Sequence, residues 1–258
     1  MLRSAIILAR KDLRLFLRDR TAVMLAFLLP MVLATVMGTA LGGQMGKMMP
    51  ASSGASHAFA SMAVMMLMFN LVASAGTLQE ERSEGTLDRL RLTPSAGPSI
   101  LAGKLIVTMV MAIAQLALLF LFGAAFFDVP VFENLVPLSA TCVTWALTAS
   151  SLGLAFATIA RTRKQLEGIS TLLILGMSAV GGAWFPREIA PEWFQTIGLA
   201  TPVAWAMDAF HRVLWSGSSF AGSAEQPGIA APLAVLLLIA GVLLILSHRF
   251  YRARFTAK

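Results

Sequence analysis

A chain of 258 residues that is 57% hydrophobic and 13% charged holds more apolar side chain than a water-soluble core of that size encloses, because soluble domains carry about 25% charged residues. Its net charge of +7 sits in flanks between apolar runs, which is the pattern of membrane insertion and not a basic face for nucleic acid. Cys142 is the single cysteine, so an intrachain disulfide is excluded.

Residues 1–20 open the chain with Arg3, Arg10, Arg14 and Arg18 on one helical face and Leu2, Ile6, Ala9, Leu13, Phe16 and Leu17 on another. This spacing predicts an amphipathic helix lying on the inner leaflet, the alternative being a basic topological flag. No small-residue cleavage site lies near it, so the first apolar run reads as a retained anchor. Crossing about 30 Å of hydrocarbon takes roughly 20 residues, and six spans are expected at 21–46, 57–79, 105–127, 135–160, 168–186 and 227–248. The stretch 193–214 is interrupted by Pro202, Asp208, His211 and Arg212, and predicts an external re-entrant or interfacial hairpin over 184–214. The Ser- and Gly-rich segment 216–228 reads as a linker and 249–258 as a tail. The expected fold class is therefore all-α, a polytopic membrane protein whose transmembrane domain covers 21–248. Seventeen of the twenty Lys and Arg fall on one side of this array, and Lys47, Arg187 and Arg212 on the other. That bias places both termini in the cytoplasm, as an even number of spans requires.

Catalytic constellations are absent from the sequence pattern. Gly176-Met177-Ser178-Ala179 lacks the second glycine of an intramembrane serine protease element, and His57, His211 and His248 are far apart in sequence with no following Glu. Each histidine reads as an interfacial polar residue and no metal site is expected. Residues 97–104 approach a phosphate loop but have five residues between the glycines and Leu105 where Ser or Thr would ligate magnesium. Lys104 reads instead as a positive flank. The span interiors lack ionisable residues for ion coupling, and Asn70 and Gln115 read as interhelical hydrogen-bonding groups.

The loop 80–104 places Leu87, Leu90 and Leu92 after Gly85, either on a short helix suited to a groove on a soluble partner or in a solvated connection. Glu84-Gly85-Thr86-Leu87-Asp88-x-Leu90, with Pro94 and then Gly103-Lys104 opening the next span, resembles the signature loop of ABC-2 type transporter permeases. Ala9-Arg10-Lys11-Asp12-Leu13 near the start and Gly181-Gly182-Ala183-Trp184-Phe185-Pro186 with Thr201-Pro202 near the end are similar to the same family. The resemblance implies the transmembrane subunit of an exporter, not itself an enzyme and binding no cofactor. ATP and Mg would be held by two copies of a cytoplasmic ABC ATPase, and a second permease copy would complete a homodimer. It implies a plasma-membrane location (the bacterial inner membrane) and an amphiphilic cargo that is drug-like, a lipid or a lipid-linked glycan. The alternative is a non-transporting assembly or sensor subunit on the same scaffold. Glu81, Glu84, Gly85, Thr86, Leu87, Leu90 and Pro94 would form the ATPase-coupling interface, and Trp184, Phe185, Pro186, Trp193 and Pro202 an external gate or an interfacial belt. Gly38, Gly42 and Gly46 have the small-residue spacing of a dimer seam. Met62, Met65 and Met66 would offer an adaptable wall to cargo or face lipid.

Overall fold

The computed structural model of the protein describes residues 2–45, 51–85, 96–222 and 227–255. The described residues form ten α-helices with no β-strand among them. In chain order these are α1 (Leu2–Arg18), α2 (Arg20–Met45), α3 (Ala51–Ala75), α4 (Thr77–Ser83), α5 (Ala96–Phe127) and α6 (Leu135–Ile159). They continue with α7 (Arg163–Val180), a 3-10 turn (Arg187–Ile189), α8 (Glu192–Gly198), α9 (Pro202–Leu214) and α10 (Ala230–Phe255). Among the described residues five segments are long and apolar enough to cross a membrane: Arg20–Ala40, Gly54–Glu81, Ser99–Phe127, Leu135–Ile159 and Ala230–Ala253. The expected span at 168–186 is shorter than read from sequence. Its helix, α7, takes in Arg163, Lys164 and Glu167 and stops at Gly181, which carries the C-cap.

Packing within lipid cannot rely on the hydrophobic effect between helices, so close approach through small residues and hydrogen bonds decides the arrangement. Ala149, Gly153 and Ala157 recur every fourth residue along α6, and a Cβ on Gly153 would stand 3.0 Å from the Leu71 carbonyl oxygen of α3. These two helices form the centre, with 73% of the α3 span and 72% of the α6 span buried, against 22% for α2 and 28% for α10. The outer helices present Met24, Leu28, Val36, Leu238 and Ile245 outward.

Polar residues are matched to backbone that needs them. Pro30 lies inside α2 and has no N–H, which deprives the Ala26 carbonyl of its usual helical donor. Asn70 of α3 supplies the missing bond, its Nδ2 donating to Ala26 O at 3.2 Å and to Gln115 Oε1 of α5 at 3.0 Å. Thr148 of α6 donates to Leu236 O of α10 at 3.1 Å.

Two regions differ from the sequence reading. Helix α1 is present, but it packs along α5 through Ala9, Leu13 and Phe16 against Val107 and Met111, while Ile6 and Leu17 of the expected apolar face are exposed. The stretch expected as a hairpin is a 3-10 turn and two helices, with α9 enclosed by the bundle. Of the residues that interrupt its apolar run, Pro202 opens α9 and the three polar ones have partners: Asp208 pairs with Arg187, His211 with His57, and Arg212 Nη1 donates to Gly228 O at 2.7 Å.

A candidate coupling site at one end of the bundle

Helix α1 approaches the start of α5 at Gly103, where an added Cβ would lie 3.0 Å from Ala5 O and 3.1 Å from Leu8 Cβ. A side chain at this position would press on α1, and glycine lets the two helices meet closely. It brings the next residue, Lys104, under α1, where its side chain is 4% exposed. Burying an ammonium requires partners. Lys104 Nζ meets Asp12 Oδ2 of α1 at 2.7 Å and Glu81 Oε1 of α4 at 3.3 Å, and donates to Thr77 Oγ1 at 2.7 Å. Lys11 closes the ring, with its Nζ 2.7 Å from Glu81 and 3.2 Å from Asp12. Two cations and two carboxylates thus alternate with no net charge. Burial acts to lower the Lys11 pKa, but the hydrogen bond and charge of Glu81, with those of Asp12, outweigh it and hold the ammonium above its ordinary value.

Glu81 is the last of three successive α4 residues that reach different neighbours. Consecutive helical side chains point about 100° apart, so Gln79, Glu80 and Glu81 fan outward. Gln79 is buried, and its Nε2 donates to Ala157 O at 2.6 Å and Ala160 O at 2.8 Å. Those carbonyls belong to the last turn of α6, where helical partners run out. Glu80 pairs with Arg163 at the start of α7, and Arg163 Nε also donates to Glu167 at 2.9 Å. Thr162 caps α7, accepting from Gln165 N at 3.2 Å. One short helix therefore touches α1, α5, α6 and α7 through three adjacent side chains and Thr77.

The opposite end is built from rings and close backbone. His57 Nδ1 of α3 lies 2.9 Å from His211 Nε2 of α9, and Ser61 Oγ is 3.3 Å from His57 Nε2. Trp215 stacks on His211 with ring centroids 3.8 Å apart and planes 9° from parallel. Both histidines are buried. They were expected to be separate interfacial residues, and the structure corrects that reading. The close approaches lie nearby: an added Cβ would fall 2.6 Å from Val203 Cβ at Gly181, and 2.4 Å from Val180 O at Gly198.

The model of the ABC-2 type transporter family matches residues 3–215. The chain belongs to that family. It is 26% identical over 192 residues, 74% of this chain and 49% of the relative, to the linearmycin resistance permease protein LnrN of Bacillus subtilis. It is 29% identical over 151 residues, 57% of this chain and 60% of the relative, to the putative transport permease YvfS of the same organism. To the inner membrane transport permease YhhJ of Escherichia coli it is 28% identical over 156 residues, 59% of this chain and 41% of the relative. The chain thus spans about half the length of these curated relatives.

In this ABC-2 chain the expected coupling residues divide. Glu81 stands in the ion ring. Glu84 and Gly85 end α4 in a turn, with Glu84 exposed and Gly85 at φ +69°, the left-handed conformation that glycine takes at low cost. Thr86, Leu87, Leu90 and Pro94 lie outside the described residues, as does Gly46. Gly38 faces Ala55 and Ala58 of α3 in the same chain, at 3.8 Å from a built Cβ, and Gly42 follows one turn later in α2. Met62 is enclosed, and Met65 and Met66 are half-buried against the core. Trp184 and Trp193 are exposed, Phe185 stacks on Phe194 at 5.7 Å, Pro186 is buried, and Pro202 opens α9 behind its Thr201 cap. Lys104 and Gln79 were not singled out for this site, because Lys104 carries the same signal as any basic flank and Gln79 as any polar loop residue.

Proposed function

We propose that this ABC-2 chain is the permease subunit of an ATP-binding cassette exporter, working as a dimer with two copies of a separate cytoplasmic ATPase that hold ATP and Mg. Helix α7, at 18 residues about 27 Å long, serves as the shorter sixth span. Helix α1 lies at the inner leaflet, and both termini are cytoplasmic by the distribution of Lys and Arg. The cargo is amphiphilic: a drug-like compound, a lipid or a lipid-linked glycan, and the relative named as a resistance permease supports the first. One observation carries the reading. The two helices flanking the family's signature loop, α4 and the start of α5, are joined by ion pairs to α1 and to the start of α7 at the basic end, where a driving partner would act.

The test is transport in proteoliposomes holding the chain with its ATPase, using fluorescent drug-like amphiphiles, labelled phospholipids and lipid-linked oligosaccharides. ATP-dependent movement of one of them is expected, whereas movement of none would favour the assembly or sensor alternative. Combining Glu84→Arg with Leu87→Asp should lower permease-stimulated ATP hydrolysis about tenfold, a coupling free energy of ordinary size, with membrane insertion unchanged. Glu84→Cys labelling by an impermeant maleimide from outside intact cells would overturn the topology.

A further inference from the structure

Three successive side chains of a seven-residue helix hold three different parts of the bundle: Gln79 the end of α6, Glu80 the start of α7, and Glu81, through Lys104, the junction of α1 with α5. Helix α4 follows α3 after Gly76 and leads through residues 84–95 to α5. Neither connection reaches α1, α6 or α7. Through these side chains a displacement of α4 reaches those helices as well.

We infer that Gln79, Glu80 and Glu81, with Lys104 as counter-charge, are positioning residues that distribute a displacement of α4 over the rest of the transmembrane bundle. The inference rests on the exporter reading above, since α4 leads directly into the segment read as the ATPase contact. It adds which side chains carry the movement onward and to which helices. The chemistry suits a joint. Gln79 bonds two carbonyls at the last turn of α6, so it grips the end of that helix. The ring of Lys11, Asp12, Glu81 and Lys104 has both signs in alternation, so its members can re-pair as α1 and α4 shift without exposing an unpaired charge. Glu80 and Arg163 are half-exposed, with side chains 48% and 38% exposed. Their pair adds little to stability but fixes a direction of pull on α7.

The experiment separates transmission from simple stability. Wild type, Lys104→Met, the neutralised pair Lys104→Met with Glu81→Gln, and Glu80→Gln are reconstituted with the ATPase, and cargo moved per ATP hydrolysed is measured beside the melting temperature. Lys104→Met alone leaves an uncompensated carboxylate, and both readouts should fall. The neutralised pair should regain most of the melting temperature while cargo per ATP stays about tenfold below wild type, within the usual range of coupling energies. Glu80→Gln should leave the melting temperature unchanged and lower cargo per ATP severalfold, which keeps the proposal testable if the buried variants fail to fold. A purely structural role predicts instead that the neutralised pair and Glu80→Gln both move cargo at the wild-type ratio, and that result overturns the inference. A wild-type protein that moves no cargo with ATP overturns the exporter reading and the inference with it. Wild-type transport with unaffected variants overturns the inference alone.

Discussion

The two ends of the bundle are held by different physics. At the α4 end the contacts are charges and side-chain amides: Lys104 between two carboxylates, Gln79 on the last carbonyls of α6, Glu80 on Arg163. At the α9 end close-packed shapes predominate beside the Arg187–Asp208 ion pair: glycines at 181 and 198 where no Cβ fits, and Trp215 laid flat on His211. Polar contacts exchange partners over small displacements, while close-packed backbone does not deform gradually. On the exporter reading proposed above, a protein worked from one side needs a joint there and a body that keeps its form elsewhere, and the contrast between the two ends suits both needs.

The comparison breaks most readily at Lys104. Removing one member of a buried ion-paired group costs about 3–5 kcal/mol, mostly because the remaining charge loses its partner. Lys104→Met should therefore lower the unfolding free energy in detergent by about that amount, measured by denaturant or thermal melts, and Glu81→Gln added to it should recover most of the loss. An unchanged melt for the single variant would mean that the ring does not hold α1.

Next in size is the shape-determined end. At Gly198 an alanine Cβ would lie 2.4 Å from Val180 O and 3.2 Å from Arg187 Cδ, and overpacking of this kind costs about 1–3 kcal/mol. Gly198→Ala should lower the melting temperature with a weaker dependence on salt than Lys104→Met, because its main clash is with the Val180 carbonyl and only the stem of the ion-paired Arg187 is touched. A Gly198→Ala defect as salt-sensitive as that of Lys104→Met would contradict the division drawn here.

Much of this architecture is legible in the sequence because one-dimensional signals decide it. Apolar length marks α2, α3, α5, α6 and α10, and the polar residues Asn70 and Gln115 announce interhelical bonds. The helix expected over 168–186 ends at Val180, and the Gly181 that caps it lies against Val203 of another helix, a contact that no local pattern announces. The histidine pair is invisible for a similar reason: His57 and His211 are 154 residues apart, and each alone has the look of an interfacial side chain. Lys104 is the most instructive miss. A basic residue at the mouth of a span satisfies the insertion rule and an ion pair equally, and only the approach of α1 over Gly103 shows that it does both. The Met cluster divides in a way composition does not show: α3 takes Met62 inside, while Met65 and Met66 stay half-buried.

The smallest effect sharpens the comparison through pH. Lys11 is held above its ordinary 10.5 by Glu81 and Asp12 against the opposing effect of burial. A group whose folded pKa is raised contributes stability that is fully present below its unfolded pKa and is lost as pH climbs through the folded value. The contribution of Lys11 is therefore complete at pH 8 and declines only above about 10.5, the ordinary lysine range. Its side chain is 44% exposed, so the effect is small and screened by salt. The melting difference between wild type and Lys11→Met, taken at low ionic strength, should hold steady from pH 7 to pH 10 and then narrow. Gly198→Ala carries no titrating group, and its deficit relative to wild type should stay level over the same interval. If the Lys11 difference instead widens with rising pH, the carboxylates are not stabilising its charge, and the ring is a contact of shape like the far end.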